Sequence, residues 1–282
     1  MRIGEVLADL IHYFEQQGIE TPRLDAEYLL AFVLNCKRLE LFLDQQRELT
    51  VEQLQKLRMY RLRRGQREPL QYILGTVEFF VYVLQVDRRV LIPRPETEEL
   101  VYQLQQWYQN KPPQRMVDAG TGSGAIAVAL ASAFPHMRVW AVDRSMEALR
   151  LAQDNAAANG VADRIQWRCG DWLEPVSGPV DLIVSNPPYV SECEFKTTQP
   201  EVHIFEPKTA LVAADNGLAD LKRLLKDARL YLQPGGLLVC ETGCEQHAAL
   251  REYAQQCGYQ RLKSTLDLSG KERYFWVWQP GD

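Results

Sequence analysis

The sequence predicts a mostly parallel α/β sheet with helices on both faces, preceded by a small helical bundle and a β-hairpin. Three observations carry this. From about residue 113 onward, short Val-, Ile- and Leu-rich runs alternate with amphipathic stretches, the pattern of a doubly wound sheet. Up to about residue 75, apolar residues recur at spacings of three and four. Between these regions, "TVEFFVYVLQVDRRVLI" is rich in Val, Phe and Tyr, which favours strands. The expected parts are therefore 1–75, helical; 76–92, hairpin linker; and 93–282, the α/β domain.

In the first part, "EVLADLIHYFEQQG" places Val6, Leu7, Leu10, Ile11 and Phe14 on one stripe, with Gly18 as a stop. "RLDAEYLLAFVLN" repeats the pattern with Leu24, Tyr28, Leu29, Phe32 and Val33. A third helix opens at Thr50, runs to Gly65 and turns Val51, Leu54, Leu57 and Leu62 inward. Short helices with short links make a bundle. After the hairpin, "IPRPETEELVYQLQQWY" begins a helix at Pro95 or Thr97, with acids in its first turn. Seven strands follow: "RMVDAG", "RVWAVD", "RIQWRCGD", "VDLIVSN", "GGLLVCET", "YQRLKSTLD" and "RYFWVWQ". The turn-like "LSGKE" joins the last two, so one of them runs antiparallel. Trp276 and Trp278 fall on a half-buried strand face.

The bulk numbers narrow the function. At 282 residues, with 46% hydrophobic and 24% charged, the chain is an ordinary globular protein long enough for two domains. A net charge of −5 argues against a mainly electrostatic nucleic-acid binder. The run Lys56, Arg58, Arg61, Arg63, Arg64 and Arg67 has no acid within it. It reads as a surface for an acidic partner or ribosomal RNA, or as a solvated helix face. The first twenty residues carry acids and lack a long apolar core, unlike a secretory signal. No window reaches the roughly 18 apolar residues of a spanning helix, so the cytoplasm is the expected compartment. The six cysteines form no CxxC and the four histidines no HxxxH, which argues against a metal. They read as reduced thiols, several of them buried.

"VDAGTGSGAIAVALA" is a strand, a glycine-rich turn and a helix. Gly120, Gly122 and Gly124 let a ligand approach the backbone, and Thr121 and Ser123 lie between them. Asp143 ends the next strand, where an acid can accept from both hydroxyls of a ribose. Alone, the glycines would fit a tight turn and Asp143 a helix cap. With Asp171–Trp172 and Asn186 at further strand ends, all converge on one rim of the sheet. No GK[ST] is present, so triphosphate hydrolysis is not indicated. S-adenosylmethionine fits: it offers a ribose to Asp143 and an adenine to the Trp172 ring, and carries no phosphate. Glu96 and Glu99 near Arg94 read either as groups at the mouth of this site or as helix N-terminal acids.

"DLIVSNPPYV" leaves a buried strand through Asn186, Pro187, Pro188 and Tyr189. The prolines stiffen the backbone and free its carbonyls as acceptors. Two acceptors, Asn186 Oδ1 and the Pro187 carbonyl, would orient an NH2 group on a planar carbon, and Tyr189 could stack on it. Alone the motif would also fit a rigid turn after a strand.

Together "REPLQYILGTVEFF", "LIPRPETEELV", "VDAGTGSGAIAVALA", "VDRSMEAL", "GDW", "DLIVSNPPYV", "FEPKTALVAADNGL" and "DLSGKERYFW" resemble the peptide chain release factor glutamine methyltransferases, the PrmC/HemK family. The likeness runs from about residue 67 to 276, while the early bundle matches in character only. It implies a Rossmann-like class I methyltransferase domain of seven strands, acting on the glutamine of a release factor's Gly-Gly-Gln motif. It further implies that Gly120 to Gly124, Asp143, Trp172 and Asn186 bind S-adenosylmethionine. Asn186 to Tyr189 would bind the glutamine, with Asn186, Pro187 and Tyr189 catalytic. The helical domain would dock class 1 release factors, and the chain would act as a monomer with no direct need of nucleic acid. NPPY is shared with adenine-N6 methyltransferases and with a sister family acting on a ribosomal-protein glutamine. "PRPETE" separates the two glutamine families, since the sister enzymes resemble "PRSP" there. Asn216 stands where the family usually shows Asp, and Cys244 where it often has Tyr. A binding module that kept only the nucleoside pocket is the remaining alternative, and an intact NPPY argues against it.

Overall fold

In the computed structural model, which describes residues 1–281, the chain divides into two units: Met1–Thr76 with Gln199–Phe205, and Val77–Thr198 with the residues from Glu206 on. The first unit contains α1 (Ile3–Gln16), α2 (Pro22–Leu34), α3 (Glu40–Leu43), α4 (Val51–Gly65) and α5 (Leu70–Leu74). The α1 stripe is as expected, with Val6, Leu10 and Phe14 buried. In α2 only two of the five expected residues, Leu29 and Val33, face inward. Ala26, Leu29, Leu30 and Val33 are buried, whereas Leu24, Tyr28 and Phe32 are 39%, 36% and 41% exposed. The helix is apolar nearly all round, so period alone leaves two candidate faces. The exposed rings are covered by cations instead: Arg38 lies 4.5 Å over Tyr28 and Lys56 5.6 Å over Phe32. In α4, Leu57 is buried, but Val51 and Leu62 are exposed, against expectation. Thr50 does cap this helix: Gln53 N–H donates to Thr50 Oγ1 and Thr50 N–H to Gln53 Oε1.

Four of the six residues of the basic run are paired with acids of the same unit. Arg61 pairs with Asp9 at 2.8 Å, and Arg63 forks onto Glu68. Arg64 is buried between Asp25 and Glu201, and Arg67 forks onto Glu201. Bidentate pairs of this kind fix geometry as well as charge.

The second unit begins with a hairpin whose first strand starts one residue earlier, β1 (Thr76–Phe79) and β2 (Tyr82–Gln85). Next comes α6 (Pro95–Trp107), with proline in its first turn, where a missing N–H costs nothing. Then follow β3 (Arg115–Ala119), α7 (Ala125–Ala133), β4 (Arg138–Asp143), α8 (Met146–Ala158), β5 (Ile165–Cys169), β6 (Val180–Ser185), α9 (Glu192–Phe195), α10 (Ala219–Ala228), β7 (Leu232–Glu241), α11 (His247–Gln256), β8 (Arg261–Leu266) and β9 (Glu272–Trp278). The seven strands lie in the order β5-β4-β3-β6-β7-β9-β8. Only β9 runs antiparallel to its neighbours. The sheet is thus the expected one.

One apolar layer packs α6 and α7 on one face, and a second packs α10 and α11 on the other. Trp276 and Trp278 are fully buried, not half-buried, because α6 lays Trp107 against both rings. Among the cysteines only Cys240 is buried, fewer than expected. No described helix is long and apolar enough to cross a membrane, and no described cluster of His, Cys, Asp and Glu could hold a metal.

Candidate active site

Between β3 and β6 the strand order reverses, and ligands of open α/β sheets bind at the carboxyl ends of strands there. A cavity lies at this point. Gly120, Thr121, Gly122 and Ser123 from the turn after β3, Asp143 from β4, Trp172 after β5, and Asn186 and Pro188 after β6 all line it. Three predicted residues do not. Gly124 is spent as the N-cap of α7, Pro187 is buried, and Tyr189 turns its hydroxyl toward Glu241. Glu96 and Glu99 are not at the mouth either: Glu99 accepts from Leu268 N–H and the Tyr274 hydroxyl.

The glycine turn is shaped by what surrounds it. Gly120 has φ +76°, and a Cβ there would come 3.1 Å from Trp172 Cζ3. A bare Gly120 thus lets the Trp172 ring lie close against this turn without shifting. Trp172 itself has φ +50°, a left-handed conformation rare for a bulky residue and a mark of functional sites. Burial raises the pKa of the Asp220 carboxyl nearby, and the Trp172 indole N–H works against that rise. Asp143 braces the turn: Oδ2 accepts from Gly122 N–H at 3.0 Å and Oδ1 from Ser145 N–H at 2.9 Å. Each oxygen keeps a lone pair, so the bracing and ribose roles are compatible. Below the turn, fully buried Asp118 accepts from the Thr121 hydroxyl at 2.6 Å and Ala127 N–H at 3.0 Å. Burial pushes its carboxyl up to about 7. Asn155, with no exposed surface, ties the turn to the hairpin by donating to the carbonyls of Ser123 and Gln85.

The Asn186 corner is tied from behind. Asn186 Nδ2 donates to Thr97 Oγ1 at 3.0 Å, and Thr97 Oγ1 donates to Glu241 Oε2 at 2.7 Å. The Tyr189 hydroxyl donates to the other oxygen, Glu241 Oε1, at 3.0 Å. Burial raises the pKa of both Glu241 and Tyr189. The Tyr189 carbonyl accepts from Gln246 Nε2 at 2.9 Å. It sits so close to Gly217, φ +84°, that a Cβ there would lie 2.1 Å away. Asn216 beside it has φ +51°, which Asn and Asp tolerate alike, so the departure noted in the sequence changes little in the backbone. On the cavity rim, buried Glu206 accepts from Ile92 N–H and pairs with Arg94. It thereby holds the 90–93 segment beside the 207–212 segment, both of which line the cavity.

Thr97, Asp118, Asn155, Glu206 and Glu241 were not predicted as site residues. Glu241 and Asp118 had a signal, an acid at or near the end of an apolar strand. Asn155 had a weaker one, an amide on the apolar face of α8. Thr97 had none beyond its place in the first turn of a helix.

A family profile described as "PrmC N-terminal domain" matches residues 5–75, and one described as "Methyltransferase small domain" matches residues 97–263. A release factor glutamine methyltransferase of Chlorobaculum tepidum is 41% identical, covering 88% of this chain and 88% of that protein. Those of Koribacter versatilis and Escherichia coli are each 40% identical, covering 97% and 91% of this chain and 97% and 92% of theirs. Among solved structures, a methyltransferase from Pyrococcus furiosus aligns with TM-score 0.55 at 19% identity, covering 72% of this chain and 91% of its own. The hMettl16 catalytic domain, in complex with a 3′UTR hairpin, aligns with TM-score 0.60 at 17% identity over 83% of each chain. These two likenesses establish the fold alone. The sequence relatives establish more: the chain belongs to the family of the release factor glutamine methyltransferases.

Proposed function

We propose that this chain transfers a methyl group from S-adenosyl-L-methionine to the side-chain amide nitrogen of the glutamine in the Gly-Gly-Gln motif of peptide chain release factors. One observation carries the reading: the glycine turn and Asn186 line the same cavity, in a chain of this family. The cavity suits the donor. Its charged lining is Asp143, Asp171 and Asp220 with Arg89 and Arg144, and Arg89 is engaged by Asp87. That balance favours a phosphate-free cation over a nucleoside phosphate. Asp143 has lone pairs for a ribose, and Trp172 a ring face for an adenine. The donor, when bound, supplies an electrophilic methyl on a sulfonium.

The chain's part is to prepare the nucleophile. An amide nitrogen is weak because its lone pair is shared with the carbonyl. Asn186 Oδ1 and the Pro187 carbonyl accept its two N–H bonds, turning its face toward the methyl and favouring pyramidalisation. As the N–CH3 bond forms the S–CH3 bond breaks, leaving S-adenosyl-L-homocysteine. The nitrogen gains acidity and sheds one proton to an acceptor or water, so the corner needs acceptors rather than a strong base. Orientation of this kind is worth on the order of 7–11 kcal/mol when fully realised. Pro188 lines the pocket beside the amide, and Tyr189 anchors the corner through its hydroxyl.

The helical domain of residues 1–75 docks the release factor. Four of its basic side chains are already paired with acids, Asp9, Asp25 and Glu68 from the same domain and Glu201 from the 199–205 segment, so the reading needs no nucleic acid as a partner. The named groups of the cavity come from one unit of one chain, so a monomer suffices. The cytoplasm, where release factors would be met, is the compartment this reading expects. The test is to incubate the protein with radiolabelled donor and, separately, a release factor, its Gln→Ala variant, DNA and RNA. Label on the factor that vanishes in the variant is the expected result. Label on nucleic acid alone, or none anywhere, overturns the reading.

A further inference from the structure

The geometry assigns to Glu241, acting through Thr97, the task of locking the Asn186 side-chain amide with its oxygen toward the cavity. This rests on the methyl-transfer reading above for its purpose, though not for its geometry. The argument is one of counting protons. The count takes Glu241 as the carboxylate: burial raises its pKa, but the Thr97 and Tyr189 hydroxyls and the charge of Arg273 oppose that rise. In this state it only accepts, while a threonine hydroxyl has a single hydrogen. Glu241 Oε2 stands 2.7 Å from Thr97 Oγ1 and takes that hydrogen. Thr97 can then only accept from Asn186, 3.0 Å away, so the Asn186 NH2 must face Thr97. The amide oxygen is left on the other side, where Asn186 lines the cavity. With the amide reversed, a donor would face the two N–H bonds of the incoming glutamine amide, and the site would repel what it is built to hold.

The second oxygen of the same carboxylate takes the Tyr189 hydrogen at 3.0 Å. Glu241 therefore fixes both ends of the Asn186–Tyr189 corner. Glu241 and Thr97 are 1% and 4% exposed, so these bonds are little exposed to water, although Thr97 borders the cavity. Burying a carboxylate is costly unless its oxygens are satisfied, and here each receives a hydroxyl. Neither Glu241 nor Thr97 transfers anything in this account; they are positioning residues.

The test compares Thr97→Val, Thr97→Ser and Glu241→Gln with the parent. Circular dichroism and melting temperature select variants that remain folded. Turnover on a release factor and donor affinity by calorimetry are measured on each. Thr97→Val keeps the shape but loses the acceptor, and should lower kcat about 10- to 100-fold, with donor Kd within about threefold. Thr97→Ser restores the hydroxyl and should recover kcat to within about threefold. In Glu241→Gln an NH2 donor replaces one of the two oxygens that take the separate hydroxyls, so the lock is broken and kcat should fall as in Thr97→Val. A readout independent of turnover is the Asn186 side-chain NH2 resonance in NMR. In the parent it should give nuclear Overhauser cross-peaks to the Thr97 side-chain protons, and these should vanish in Glu241→Gln. Their disappearance in that variant, with a parent that methylates nothing, would uphold the lock and overturn the proposed reaction. Folded Thr97→Val with parental kcat, Thr97→Ser as impaired as Thr97→Val, or cross-peaks that persist in Glu241→Gln would each overturn the lock.

Discussion

Asp118 gives the sharpest case at the scale of single residues. It lies near the end of β3 with no exposed surface, and its Oδ1 has no hydrogen-bond partner among the described residues. A carboxylate so placed is under-solvated, which favours the protonated acid, and the charge of Asp143 adds to the effect. Its folded pKa of about 7 lies above its ordinary value of 3.8. The native state therefore holds a proton that the unfolded chain has released between these values. The stability this contributes is complete below about pH 4 and is lost as the pH rises through about 7. Asp118→Asn keeps the shape and cannot ionise. Urea unfolding from pH 4 to 8 should show a shallower decline in the variant than in the parent. Parallel curves would mean that Asp118 does not titrate in this window.

Between elements, the sequence was legible wherever a local period had one solution. α1, the seven strands and the glycine turn of β3–α7 follow directly from spacing and from residue type. α2 did not, because "LLAFVL" offers two apolar faces and only packing against other helices selects one. Leu29→Ala should thus cost about 2–5 kcal/mol in denaturant unfolding. Phe32→Ala, on the face the period alone would have turned inward, should cost about 1 kcal/mol or less. The reverse order of costs would restore the period's choice. Trp276 and Trp278 were misplaced for a related reason: strand alternation cannot see that Trp107 of α6 will cover them. Of the active site, the strand-end residues were legible because topology alone gathers them. Thr97 and Glu241 were not, since 144 positions separate them and only the folded sheet brings α6 beside the end of β7.

Across the whole molecule, one cavity is assembled from stretches scattered between Arg89 and Asp220. In the proposed reading the glycine turn, the β4 acid and the Trp172 ring hold the donor's nucleoside on one side, and the Asn186 corner holds the amide on the other; both line the cavity. Neither side is chemistry by itself: one would merely bind, the other would merely turn the chain. Their common wall is what makes a transferase site. It also predicts a separation of effects when one side is damaged and the other left intact. That separation is read most directly in Asn186→Ala, with methyl transfer to a release factor and donor affinity measured on the same preparation. The account predicts that transfer is abolished while a substantial part of the donor affinity remains. Transfer at the parental rate in a folded Asn186→Ala would contradict it.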